Sequence, residues 1–276
     1  MQMGRVVIVG PHGRKLGGPV LQTICDSSDI RAIAGIVSQK DSNPLSGCVL
    51  CRSFGDIPNL PSGDERGDIV VFYAVKADAL QERLAEAVEN GFTRHVIGTT
   101  AIFDTTLVLI AKLSLHGHTF LVAPNFSAGA NRGAEQCARF ARDMPDAEVE
   151  IIEMHHSRKS DAPSGTALLW ARAVAAARGQ GLRDILKLGR HGSGLRTQEE
   201  ICIHSVRLGN VTGRHEAFFA SGQEIVSVKH EAESSALFAE NAVNGIRWIL
   251  DEVRFSGVYY MYDVLGLDLL HELSVS

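Results

Sequence analysis

Apolar and polar positions along the 276-residue chain follow two different periods. Arg5 to Val9 (RVVIV), Ile30 to Val37, Asp68 to Ala74 (DIVVFYA), His95 to Gly98 and Thr119 to Val122 are short apolar runs, several rich in β-branched residues. Runs of that length fit buried strands. Between them lie helical patterns at Pro19 to Cys25, Ala77 to Asn90 and through Leu107 to Leu115. Strands alternating with helices at this spacing predict an α/β, doubly wound parallel sheet with crossover helices, the type of domain that binds nucleotides.

The pattern changes after Asn125. A helix over Gly129 to Arg142 leads into a strand, Glu148 to Met154, and a second long helix ends near Arg178. Ile201 to Arg207, Glu216 to Ala220 and Glu224 to His230 then read as strands joined by Gly-bearing turns, which predicts an α+β domain with a mostly antiparallel sheet. The last helix, about Ser235 to Val253, is expected to pack back on the first domain. The expected division is residues 1–127 with 236–276 as the dinucleotide-binding domain, and 128–235 as an inserted domain.

Composition narrows the function classes. With 45% hydrophobic and 21% charged residues and a net charge of -5, the chain is ordinary globular material without a general basic surface for nucleic acid. Apolar runs such as Ile69 to Val75 are too short to span a bilayer. The N-terminal segment runs straight into a strand pattern without a signal peptide's features, so neither membrane nor export is expected and a cytoplasmic location is the default. Five cysteines make no disulfide framework in a chain this long, and Cys48 and Cys51 are read as unrelated loop thiols.

Gly10, Gly13 and Gly17 follow the first strand as GxxGxxxG. A glycine-rich turn between a first strand and a first helix presents N–H groups to a pyrophosphate at the positive end of the helix dipole. Ser38, Gln39 and Lys40 follow the second strand, where an acidic residue would read ribose hydroxyls and a basic one a 2′-phosphate. Ser38 and Lys40 suit a phosphate, which favours NADPH over NADH.

Candidate chemistry concentrates in Glu153 to Ala167, EMHHSRKSDAPSGTA. His155 and His156 end a strand and point to opposite sides; histidine moves protons near neutral pH without large tuning. The spacing offers this pair no Asp, Glu or His ligand set, so no metal is expected. Lys159 supplies a cation for a carboxylate, or a proton. Asp161 to Thr166 opens a helix whose first turn, with Pro163, Ser164, Gly165 and Thr166, is suited to an anion.

On these residues the chain resembles the 4-hydroxy-tetrahydrodipicolinate (dihydrodipicolinate) reductase family over nearly its whole length. The segment matches the family's E-x-H-H-x-x-K-x-D-A-P-S-G-T-A. Gly98-Thr99-Thr100, Asn125-Phe126-Ser127, His204 to His215 (HSVRLGNVTGRH) and Tyr260 to Leu267 (YMYDVLGL) match further family segments. The resemblance implies a Rossmann-like domain holding NADPH or NADH, and an inserted domain placing a cyclic dicarboxylate substrate against the nicotinamide. Hydride transfer would give tetrahydrodipicolinate in diaminopimelate and lysine biosynthesis. By the same resemblance His155 is the proton donor/acceptor and Lys159 the proton donor, while His156, Ser164, Gly165 and Thr166 bind substrate. Gly10, Gly13, Arg14, Lys15 and Leu16 form the cofactor loop, and Gly98, Thr99, Thr100, Ala123, Pro124, Asn125 and Phe126 line the nicotinamide side. A homotetramer assembled through the inserted sheet domains is implied as well.

The chain departs from the family in four places. The loop Gly13-Arg14-Lys15-Leu16-Gly17 carries one extra residue, Phe72 to Lys76 replaces D-F-T-x-P, and Ala101 replaces the glycine after G-T-T. Glu231 and Ser235 stand where the family has basic residues. Two other readings therefore stay open: a paralogue reducing a related cyclic imine dicarboxylate, and a non-catalytic dicarboxylate-binding protein.

Overall fold

The structure, a computed structural model, describes residues 3–38, 45, 47–61, 68–100, 102–251 and 255–275. Gln39, Lys40 and Ala101 lie outside the described residues. In chain order the first stretch holds β1 (Gly4–Val9), α1 (Gly17–Cys25), β2 (Ile30–Ile36), β3 (Val49–Cys51), β4 (Ile69–Tyr73) and α2 (Ala77–Glu89). It continues with β5 (Arg94–Ile97), α3 (Asp104–Ser114) and β6 (Thr119–Val122). The middle stretch holds α4 (Ala128–Asp143), β7 (Glu148–His155), α5 (Gly165–Ala177), α6 (Leu182–Ile185), β8 (Leu186–Leu188), β9 (Ile201–Arg207), β10 (Arg214–Ser221) and β11 (Glu224–Glu231). The chain ends with α7 (Ala236–Asp251), β12 (Gly257–Tyr260), α8 (Met261–Leu265) and α9 (Asp268–Val275). Among the described residues no helix is long and apolar enough to cross a membrane.

Two compact units emerge: residues 1–126 with 236–264, and 127–235 with 265–276. The first is a seven-stranded sheet in the order β12-β6-β5-β4-β1-β2-β3, with every pairing parallel. β4, IVVFY, is buried at every position, as a central strand covered on both faces must be. This is the expected Rossmann-like, doubly wound architecture. α7 groups with this unit, with Arg247 gripping both carboxylate oxygens of Asp29 at 2.8 and 2.9 Å. The segment after α7, where the sequence pattern predicts no element, adds β12 as an edge strand beside β6.

The second unit is a five-stranded sheet, β11-β10-β7-β9-β8. β7 alternates exposed or half-buried with buried positions along its length, so one face is covered and the other is not. The expectation of a mostly antiparallel sheet holds for β7, β10 and β11, but β9 runs parallel to β7 and β8 parallel to β9. The cause is α5: a helix between β7 and β9 makes a crossover, and a crossover returns the chain in the same direction. The expected domain boundary also shifts at the C-terminus. Residues 265–276 group with the second unit, where the Leu270 N–H donates to the buried Glu135 carboxylate at 3.0 Å.

Candidate active site

In the first unit, the predicted cofactor residues gather at the carboxyl ends of parallel strands, where open α/β sheets bind ligands. β1 is flanked by β2 and β4, so the strand order reverses beside the Gly10 loop. Gly10 has φ +84, and a Cβ on Gly17 would lie 2.1 Å from the Gly10 carbonyl oxygen; only glycines close this turn. α1 starts at Gly17 with no side-chain cap on its N-terminus. Arg14 and Lys15 are exposed and Leu16 is half-buried, and in the same loop the His12 Nε2 is buried without a partner. Gly98 follows β5 and donates to the Tyr73 carbonyl at 3.0 Å, and Ala123 follows β6 and donates to Ile97 at 2.9 Å. Thr99 is pinned to the Val75 carbonyl at 2.9 Å, and Phe126 packs on Phe72 with ring centroids 6.0 Å apart. Ser38, Thr100 and Pro124 are exposed and Asn125 half-buried. An uncapped helix terminus, a glycine turn with no room for side chains and an orphaned imidazole nitrogen fit a nicotinamide dinucleotide at this edge.

The Phe72 to Lys76 departure has a packing explanation. Phe72 and Tyr73 are fully buried, and the Tyr73 hydroxyl bonds His95 Nδ1 at 3.0 Å, continuing to His118 at 3.4 Å. These side chains serve the core, and Ala74 to Lys76 alone reach the ligand edge.

In the second unit, the centre of the site is Glu153, whose side chain is fully buried. Strand alternation puts Glu153 and His155 on the same, covered face of β7. Glu153 Oε2 lies 2.6 Å from His155 Nδ1. Arg207, on β9 directly opposite His155, donates to both Glu153 oxygens at 2.9 and 2.8 Å, and the Ser164 N–H donates to Oε1 at 3.2 Å. Burial by itself would raise the Glu153 carboxyl, but hydrogen bonds from His155, Arg207 and Ser205 outweigh it and bring it down to about 2. Glu153 is thus an ionised carboxylate held by several donors.

Ser164 caps α5: its Oγ accepts from the Ala167 N–H at 3.2 Å and pairs with His215 Nε2 at 2.9 Å. Its hydroxyl faces inward, and the first-turn backbone at Gly165 and Thr166 stands outward. A Cβ on Gly165 would meet nothing within 4 Å, so the space before this helix end is open. His215 packs edge-on to His155 at 5.1 Å, and burial, reinforced by the His155 and His230 charges, lowers it to about 3. His156 is half-buried just past β7, and its carbonyl accepts from the Lys159 N–H at 3.1 Å. The Lys159 ammonium is held by the Asp161 carboxylate at 2.8 and 2.7 Å.

The structure therefore joins His155 and Ser164 through Glu153, and brings in Arg207 and His215, which had no role in the sequence reading. Two-residue spacing on a strand was the available signal for Glu153. Arg207 and His215 sit in the matched HSVRLGNVTGRH segment, but nothing local marked them.

Ligand-type groups do meet where spacing suggested none: Glu153 with His155 and His215, and Glu150 with Cys202 and His204. In the first set the carboxylate is committed to Arg207. In the second, Glu150 already pairs with His204 at 2.8 Å and faces the Arg196 guanidinium at 3.6 Å. A resident cation at either place would compete with an arginine. Cys48 and Cys51 are free thiols, and burial pushes Cys48 up to about 11, the opposite of a reactive pair.

The family described as "Dihydrodipicolinate reductase, C-terminus" matches residues 129–265. The 4-hydroxy-tetrahydrodipicolinate reductase of Psychrobacter arcticus is 37% identical, covering 97% of this chain and 96% of its own. That of Campylobacter curvus is 31% identical over 95% of this chain and 100% of its own. The solved dipicolinate-bound dihydrodipicolinate reductase from Paenisporosarcina sp. TG-14 shares the fold with a TM-score of 0.74 at 23% identity, covering 94% of this chain and 98% of that one. With relatives 31% and 37% identical over at least 95% of this chain, it belongs to the 4-hydroxy-tetrahydrodipicolinate reductase family.

Proposed function

We propose that the chain reduces 4-hydroxy-tetrahydrodipicolinate to tetrahydrodipicolinate. The observation that carries this reading is His155, anchored through Nδ1 beside the open first turn of α5. A bound nicotinamide dinucleotide supplies the hydride. Gly10, Gly13, Arg14, Lys15, Leu16 and Ser38 hold its phosphates and ribose, and the strand-end residues Gly98 to Thr100 and Ala123 to Phe126 hold its nicotinamide side. Gln39 and Lys40 complete the ribose-reading edge, and NADPH is the preferred cofactor. A substrate carboxylate takes the first turn of α5 at Gly165 and Thr166, where backbone N–H groups and the helix dipole favour an anion. His156 contributes a second polar contact to the substrate. His155 and Lys159 supply the proton, Lys159 on leaving Asp161.

The second unit also serves assembly in this reading. α4 and α5 cover one face of its sheet, while the other leaves Ile152 and Ile225 40% and 69% exposed. A second copy of the chain, and with it a homotetramer, covers that face. Sedimentation at micromolar concentration is expected to show a tetramer that Ile152→Glu disrupts.

The deciding assay adds freshly generated hydroxy-tetrahydrodipicolinate and follows oxidation of NADPH and of NADH. Turnover with a lower KM for NADPH is expected. Tight cofactor binding without turnover overturns the substrate assignment and leaves a paralogue acting on a related cyclic imine; failure to bind either cofactor leaves a dicarboxylate-binding protein.

A further inference from the structure

His155 has two ring nitrogens, and the choice between them decides which one can meet a substrate. Nδ1 is 2.6 Å from Glu153 Oε2. The same carboxylate receives a two-pronged grip from Arg207 at 2.8 and 2.9 Å and the Ser164 N–H at 3.2 Å. Bidentate guanidinium contact keeps a carboxylate ionised, and an ionised carboxylate has only acceptor capacity. The proton in the short Nδ1···Oε2 contact therefore sits on nitrogen. Arg207 is itself fixed, with Nη1 also donating to its neighbour's carbonyl, Val206 O, at 2.8 Å and Nη2 to the Asp161 carbonyl. The remaining nitrogen, Nε2, lies against Gly213, where a Cβ would come to 3.1 Å from it. With glycine at 213, no side chain from that position stands over the nitrogen.

We infer that Glu153 and Arg207 are positioning residues that lock His155 as its Nδ1–H form, making Nε2 the atom through which the reaction's proton passes. In the acid form the Nε2–H bond breaks, the proton goes to the substrate atom made electron-rich by hydride addition, and a solvent proton restores Nε2–H. Glu153 stays ionised throughout and stabilises the imidazolium without taking its proton. The inference rests on the reading of His155 as the proton-transfer group. The lock itself can be measured without any reaction.

The experiment is side-chain nitrogen NMR of the ¹⁵N-histidine-labelled full-length protein, with His155 assigned from the His155→Gln spectrum. At alkaline pH the expected pattern is a protonated, pyrrole-type Nδ1 and a bare, pyridine-type Nε2. In Glu153→Gln the amide oxygen keeps Arg207 and the amide NH₂ turns to Nδ1. The two nitrogens should then exchange signatures, while Arg207→Lys, which keeps the charge but loses the fork, should retain most of the original pattern. Given turnover, Glu153→Gln should lose about 10- to 100-fold in kcat with KM within about threefold, the scale on which an orienting partner acts through another group. A protonated Nε2 in the unsubstituted protein overturns the inference, as does a folded Glu153→Gln with unchanged signature. If Glu153→Gln fails to fold, the unsubstituted spectrum decides alone. A correct tautomer in a protein without turnover supports the lock and sinks the proposed substrate instead.

Discussion

Side chains two residues apart on a strand share a face, and in β7 that rule joins a carboxylate to an imidazole. What the arrangement needs next is an uncovered Nε2, and Gly213→Ala tests it directly, because the new methyl would stand 3.1 Å from that nitrogen. The expected result is a large fall in kcat at an unchanged melting temperature; unchanged kinetics would remove Nε2 from the proton path. Lys159 makes a second case. Its partner Asp161 has a side chain 59% exposed, and such a pair adds little stability. Asp161→Asn is therefore expected to change kcat by no more than about threefold, whereas Lys159→Met should lose on the order of 10²- to 10⁴-fold as a missing proton donor. Equal losses in the two variants would mean that the ion pair, not the ammonium, matters. At this scale His155, Lys159 and the α5 terminus were legible, because their residue types stand adjacent in sequence. Arg207 and His215 were not, since their roles depend on strand register and on a partner 54 or 51 residues away.

Helices α4 and α5 show what an element contributes to the site. Trp170 of α5 is fully buried, donates from Nε1 to the Ala130 carbonyl at 2.8 Å, and leaves no room beside Gly133, where a Cβ would fall 2.4 Å from the indole. This contact fixes α5, and with it Ser164 and the anion-facing first turn. Trp170→Ala is expected to cost about 3–5 kcal/mol and Gly133→Val about 1–3 kcal/mol from overpacking, read as a lower urea midpoint at constant slope. A midpoint shift without loss of substrate affinity in either variant would separate the packing from the site. Both helices were visible in the sequence through their long periodic patterns. β3 and β8, with three residues each, were not, because runs that short carry no period, and β12 went unread after the last helix. The parallel direction of β9 was missed for a different reason: α5 was seen, but its consequence as a crossover was not drawn.

Each unit of the molecule buries a histidine that stays neutral, and this sets how the whole chain meets acid. Burial, with the charge of His118 second, lowers His95 in the first unit to about 3; burial likewise lowers His215 in the second to about 3. His118 and His230 are lowered too, again mainly by burial. In the unfolded chain these imidazoles take up protons near their ordinary value of 6.5. Below that pH the unfolded state holds more protons than the folded one, so stability is full above 6.5 and declines as pH falls toward 3. Each fully buried histidine contributes a slope of up to about 1.4 kcal/mol per pH unit within that window. Glu153, lowered from 4.5 to about 2, keeps its contribution until the pH falls below 4.5, so the range from 6.5 to 5 belongs to the histidines. The two tryptophans, Trp170 and Trp248, fall in different units. In a Trp248→Phe background, Trp170 fluorescence reports the second unit alone, and its urea midpoint is expected to drop steadily from pH 6.5 to 5. His215→Gln should flatten that slope while lowering the midpoint at pH 7, since Ser164 would lose its buried partner. A midpoint constant between pH 6.5 and 5 would show that His215 is protonated in the folded protein, and would take away the neutral partner that keeps Ser164 capping the substrate-binding helix.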